Sequence, residues 1–304
     1  MRRADLVHLA LLLGSLALAY VLPFELLLLA YIILGPAHYY TEISWLHDRS
    51  YFMPTRAFAV VLAAAALGGM FMATPYWSGI LLWSCFVAAA LAALALPPRR
   101  TIVLGVAAAT VTLLAAMAGA PFAFVGIMLP TLIHVSIFTL IFMTLGAMRA
   151  GSYFQWGLIG AYLAAIAAVL IMPPSTATVI PALAQLGKDF FGDLAPALGS
   201  LFGAPNLQFA GRVTGLLSFV YTYHYLNWFI KADVIRWARM PKPRLIAVAA
   251  LSVASTAFCL FNATLGITVL LLVSLLHVLL EFPLNTVAIR ELTGLALGRS
   301  RKAA

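Results

Sequence analysis

Residues 57–98 read AFAVVLAAAALGGMFMATPYWSGILLWSCFVAAALAALALPP, 42 positions without one charged side chain. A bilayer core is crossed by about 20 apolar residues of α-helix. The run is therefore two crossings long, and Pro75 near its middle marks the turn of a hairpin. Outward from it, residues 101–148, 150–187 and 245–280 are equally free of charge. Hydrophobic residues make up 64% of the chain and charged residues 9%, with a mean hydropathy of +1.05. Soluble domains are nearer half apolar, so the composition belongs to a bilayer.

The expectation is an all-α polytopic integral membrane protein, a single transmembrane domain over residues 1–304. About ten spans are expected, at 6–22, 24–46, 57–74, 77–96, 101–119, 122–148, 153–172, 212–232, 245–264 and 266–289. With both termini cytoplasmic, 16 of the 18 Lys and Arg residues fall inside, and only Lys188 and Arg212 fall outside. That asymmetry is the positive-inside bias, and adding or removing one span would scramble it. It points to a multi-pass protein of a bacterial-type inner (cytoplasmic) membrane. The net charge of +9 then follows from topology and from membrane lipid, the anionic cytoplasmic leaflet being the basic residues' partner. Nucleic-acid binding is not required.

Arg2 and Arg3 before an apolar stretch look like the start of a secretory signal, but no small-residue cleavage site precedes Pro23, so the first helix reads as retained. Cys85 and Cys259 fall inside apolar spans, where a buried thiol is the plain reading. Residues 173–211 form the one sizeable loop, on the outer side. Leu183, Leu186, Phe190, Phe191, Leu194, Leu198 and Leu201 recur there at helical spacing, which predicts an interfacial amphipathic helix.

Against this apolar background the deep titratable groups are few and grouped. A charged side chain at the centre of a span costs about 2.5–3.5 kcal/mol on insertion scales. Such residues lie in four even-numbered spans: His38 and Glu42, His134, His224, and His277 with Glu281. His38 precedes Arg49 by 11 residues, His134 precedes Arg149 by 15, His224 precedes Arg236 by 12 and His277 precedes Arg290 by 13. A spread of four positions is about 6 Å of helix rise, so the four imidazoles are expected in one layer. His38 and Glu42 are i and i+4, as are His277 and Glu281, which puts each pair on one helix face.

Four imidazoles and two carboxylates suit iron, with manganese or zinc as alternatives, and a bridging carboxylate on each side would suit two metals. His38, Glu42, His134, His224, His277 and Glu281 are the candidate ligands, Glu42 and Glu281 doubling as catalytic carboxylates. Asn227, Asn285 and Tyr223 are candidates to orient the ligands. His47 and Asp48, at the cytoplasmic mouth, form a candidate gate or a solvated ion cluster. Aromatic residues beside His38 and His224 form either an interfacial belt or the wall of a pocket for an apolar substrate.

The stretch GPAHYYTE, residues 35–42, resembles the Gly-Pro-His-x-x-x-acid element of the bacterial carotene-cleaving dioxygenase family (Brp/Blh-like), polytopic proteins thought to hold iron through histidines. The likeness covers the second span and implies His38 as a ligand with Glu42 nearby. Where that family has a paired H-x-x-x-H later in the chain, YTYHYLNW at 221–228 has one histidine. The H-x-x-H-H boxes of membrane desaturases and hydroxylases are also missing from the sequence.

The leading functional expectation is a membrane metalloenzyme. Specifically, it is a non-haem iron oxygenase or hydroxylase for a lipophilic small-molecule substrate, with a redox partner among its expected partners. Two alternatives use the same residues. A proton- or cation-coupled transporter would run on the His/Glu layer. A b-type haem protein would grip its cofactor between histidines, leaving the two glutamates without a role.

Overall fold

The computed structural model describes residues 3–72, 75–117, 130–175, 179–181, 183–185, 207–231 and 239–298. The regular elements among the described residues are all helical, with no strand. They are α1 (Arg3–Val21), α2 (Pro23–Leu29), a π-helical turn (Ala30–Leu34), α3 (Gly35–His47), a short 3₁₀ turn (Ser50–Phe52), α4 (Arg56–Met70), α5 (Pro75–Leu94), α6 (Pro98–Ala116), a second π-helical turn (His134–Phe138), α7 (Thr139–Ala150), α8 (Tyr153–Ile171), α9 (Leu207–Ile230), α10 (Lys242–Phe261) and α11 (Ala263–Ala296).

Among the described residues, seven helical runs are long and apolar enough to cross a membrane: Pro23–His47, Trp77–Leu94, Pro98–Ala116, Pro130–Ala150, Tyr153–Ile171, Lys242–Phe261 and Ala263–Ala296. Two further apolar helices, Asp5–Val21 and Arg56–Met70, are shorter. The span expected at 212–232 coincides with α9, a 24-residue helix that Arg212 and its tyrosines make more polar than the rest. Of the outer-side amphipathic helix expected over Leu183–Leu201, residues 183–185 are helical and 186–206 lie outside the described residues.

Helix starts follow local chemistry. Thr55 accepts the Phe58 amide at 3.1 Å as the N-cap of α4, satisfying one donor of the first turn. α2, α6 and α10 carry proline at their first or second position, where the missing N–H costs nothing. Gly151, with φ +59°, closes α7 in the left-handed region that favours glycine. Ser50, Tyr51 and Phe52 hold φ of 50°, 56° and 54° without being glycine, a strained turn directly after His47 and Asp48.

The chain divides into two compact units. One comprises residues 1–41 and 146–271, the other 42–145 and 272–304. In the first, α1 and α2 pack on α9, the first π-turn packs on α9 and α10, and α8 packs on α1 and α9. Its interior is aromatic: Tyr162, Phe219 and Tyr223 lie with ring centroids 5.5–6.2 Å apart. Glu25, fully buried at the start of α2, accepts the amides of Val179 and Ile180 at 2.6 and 2.8 Å. Both bonds fall on Oε1, which ties residues 179–180 to α2, while Oε2 meets no hydrogen-bond partner among the described residues.

In the second unit α4 packs on α5 and α5 on α6. Leu46, Leu62, Leu82, Phe86, Leu275, Val278 and Leu279 form its apolar core. Only 6% of the apolar window of α6 is buried, against 44% for α11, so α6 is left to face lipid along most of its length.

Candidate metal centre

In the second unit the site is built on α11. Ser274, His277, Glu281 and Asn285 are all buried, and their spacing of three, four and four residues makes one polar stripe down a single helix face. Pro283 sits within that helix. Having no N–H, it leaves the Leu279 carbonyl without its i+4 donor and loosens the helix between Glu281 and Asn285. His134 opens the second π-turn, and Ser136 within it donates to the Leu132 carbonyl. Wide turns of this kind are uncommon and concentrate at functional sites.

His134 Nδ1 lies 2.7 Å from Glu281 Oε2, both side chains being 5% exposed or less. Its Nε2 lies 3.4 Å from Nε2 of His277, the two rings meeting edge to face with centroids 5.0 Å apart. Glu42 is also buried, with a carboxyl oxygen within 4.8 Å of a ring nitrogen of each of His134 and His277. The approach of Glu281 to Nδ1 of His134 is an ion-pair contact without hydrogen-bond alignment; a carboxylate beside that edge favours the proton on Nδ1 and leaves the Nε2 lone pair for another partner, as behind metal-binding histidines.

In the first unit, His38 is fully buried on α3. Its Nε2 lies 3.2 Å from Nε2 of His224 on α9, the ring centroids being 4.8 Å apart. The rings of Tyr225 and Trp228 stand 4.9 and 5.3 Å from the His38 ring. Thr41, one turn further along α3, donates to the carbonyls of Ala37 and His38 at 2.7 and 2.9 Å and accepts Trp228 Nε1–H at 3.1 Å. Tyr39 and Tyr225 join their hydroxyls at 2.6 Å. The backbone around His38 is thus fastened to α9 on two sides.

Among the described residues of the second unit, Glu42, His134 and His277 are buried and could hold a metal ion, each offering one ligand atom with all of these within 4.8 Å of one another. The donor set fits: two nitrogens, each about 2.1 Å from one ion, stand about 3.0 Å apart at a right angle and about 3.4 Å apart at the tetrahedral angle. The His134–His277 and His38–His224 separations of 3.4 and 3.2 Å fall in that interval.

The other expected site residues are distributed unevenly. His224 lies against His38, and Glu281 lies on the far nitrogen of His134. Asn285 is fully buried, but neither polar atom of its side chain meets a partner among the described residues. Asn227 is buried on α9. Tyr223 was expected beside His224, yet its ring packs with Phe219 and Tyr162, and its hydroxyl meets no partner among the described residues. His47 and Asp48 stand 3.6 Å apart with 44% of each side chain exposed, a solvated pair at the mouth. Thr41 was missed by the sequence reading, although its position at i+3 from His38 was the available signal.

No protein-family model matches the chain, and neither does any curated protein or solved structure.

Proposed function

We propose that the chain is a multi-pass membrane metalloenzyme, a non-haem iron oxygenase or hydroxylase acting on a lipophilic substrate that enters from the bilayer. The proposed topology has ten crossings with both termini on the cytoplasmic side of a bacterial-type inner membrane. The observation that carries the reading is the buried His/Glu group of Glu42, His134 and His277 in the second unit. Burying so many titratable groups in an apolar chain is costly unless they are paired or bind something.

In this reading His38, His134, His277 and Glu42 hold the metal, with His224 beside His38. Bound iron supplies the capacity to react with dioxygen. Glu281 holds the proton on Nδ1 of His134 and presents Nε2 to the metal. Leu275, Val278, Leu279 and Phe86 supply the dry surroundings that keep water from a reactive centre. The GPAHYYTE resemblance supports iron.

A second reading, proton- or cation-coupled transport, draws on the same buried His and Glu side chains, which are the elements of a relay. A b-type haem fits less well. Axial nitrogens on opposite faces of a haem stand about 4 Å apart with the macrocycle between them, whereas both histidine pairs here approach edge to face at 3.2 and 3.4 Å.

Metal analysis and an optical spectrum of the iron-loaded protein in mild detergent separate these readings. The expected result is stoichiometric iron without a Soret band, lost on His134→Ala. A protein that retains no iron, or whose His134→Ala variant keeps both metal and activity, refutes the metalloenzyme. Metal-independent, pH-driven flux in proteoliposomes would establish the transporter in its place.

A further inference from the structure

We infer that Thr256 and Ser255, on α10, are positioning residues that set the orientation of His38. The inference rests on the metal-site reading and names the part of the fold that keeps one ligand in place. The helix that carries His38 is broken just before it. Ala30–Leu34 is a π-helical turn, and Pro36 follows within α3. Because Pro36 has no N–H, the Ile32 carbonyl lacks its ordinary i+4 donor. A buried carbonyl without a donor is destabilising. Thr256 Oγ1 fills the gap, donating to that carbonyl at 2.8 Å. Its neighbour Ser255, also buried, joins its hydroxyl to that of Tyr40 at 2.9 Å. α10 therefore grips the segment six residues before His38 and two residues after it.

Thr256 differs from the other hydroxyls of the apolar helices. Ser252 donates to Val248, Thr268 to Thr264 and Thr286 to Phe282, each at 2.8–3.0 Å within its own helix. That is the usual fate of Ser and Thr in an apolar helix. Thr256 instead reaches another helix, at a carbonyl whose i+4 donor a proline has removed. The consequence for His38 is rotational. A π-turn holds an extra residue, and if it relaxed to regular α-helix everything after it would turn by about 100°, one residue's share of a 3.6-residue turn. The His38 imidazole would then leave His224.

The test uses the full-length protein in mild detergent, with Co²⁺ as the probe metal, a chelator competition for affinity and the visible cobalt bands for ligand geometry. Thr256→Val keeps the shape and removes the hydroxyl. The expected result is Co²⁺ binding weakened about 10- to 100-fold, with altered cobalt bands and faster amide exchange over residues 30–41. Thr256→Ser should restore all three, and Ser252→Ala should leave all three unchanged. Should Thr256→Val fail to fold, Ser255→Ala carries the test with a smaller expected loss. Wild-type affinity and bands in the hydroxyl-free variants overturn the inference alone. A wild-type chain that takes up no Co²⁺ overturns the metal site, and the inference falls with it.

Discussion

Glu281→Gln isolates the contribution of one carboxylate. In the wild type, Oε2 of Glu281 stands 2.7 Å from Nδ1 of His134, with both side chains shielded from solvent. The substitution preserves volume and removes the charge. Two outcomes are open to the glutamine amide. Its oxygen can accept from Nδ1–H, keeping the tautomer but exchanging a charge-assisted bond for a neutral one of roughly half the strength. Alternatively, its NH₂ faces the ring, which forces the proton onto Nε2 and removes the lone pair that points toward His277. Either outcome weakens His134 as a ligand. Loss of a carboxylate behind a metal-bound histidine typically costs 10- to 100-fold in affinity, about 1.4–2.7 kcal/mol at 1.4 kcal/mol per decade. Chelator competition with Zn²⁺ or Co²⁺, followed by metal analysis of the desalted protein, reads this directly. Because no cavity is created, the thermal midpoint of the metal-free protein should change little. A Glu281→Gln protein that binds metal as tightly as wild type would show that the His134–Glu281 pair is an internal ion pair with no metal behind it.

Other perturbations probe the surroundings. Asp48→Asn should leave metal affinity within about twofold and stability within about 1 kcal/mol, because exposed ion pairs contribute little; a large loss would make the His47–Asp48 pair part of the site after all. Tyr223→Phe removes a buried hydroxyl that has no partner among the described residues, and should raise the thermal midpoint or leave it unchanged, without altering metal content. Trp228→Phe deletes the donor to Thr41; it should cost about 1 kcal/mol of stability and weaken Co²⁺ binding several-fold through His38. Gly266→Ala should destabilise by about 1–3 kcal/mol in a detergent melt, since an added Cβ would collide with the Cys259 backbone across the α10–α11 turn, and backbone cannot swing aside.

Local chemistry in the chain already carries much of this protein. A charge-free run of 42 residues can only be resolved as apolar helices, because lipid offers backbone groups no partners outside the helix itself. The helices therefore fall where hydropathy places them, and the i, i+4 spacing puts His277 and Glu281 on one face in any helical fold. Counting residues to each span-ending basic residue gives the histidines similar expected depths, since rise per residue is constant.

Pairing is a different matter. That His134 turns one nitrogen to Glu281 and the other to His277, or that His38 faces His224, depends on which helices pack together and at what rotation, and residues 143 positions apart share no local signal. The two π-turns each shift that rotation by a fraction of a turn, and neither has a sequence signature beyond the proline at 36. Thr256 reads as one more small polar residue in an apolar span. Only the tertiary fold shows that its hydroxyl meets the carbonyl left bare by that proline. Packing is decided by the sum of many weak contacts across distant segments, so the helices and their polar faces were legible in one dimension and the partners of each histidine were not.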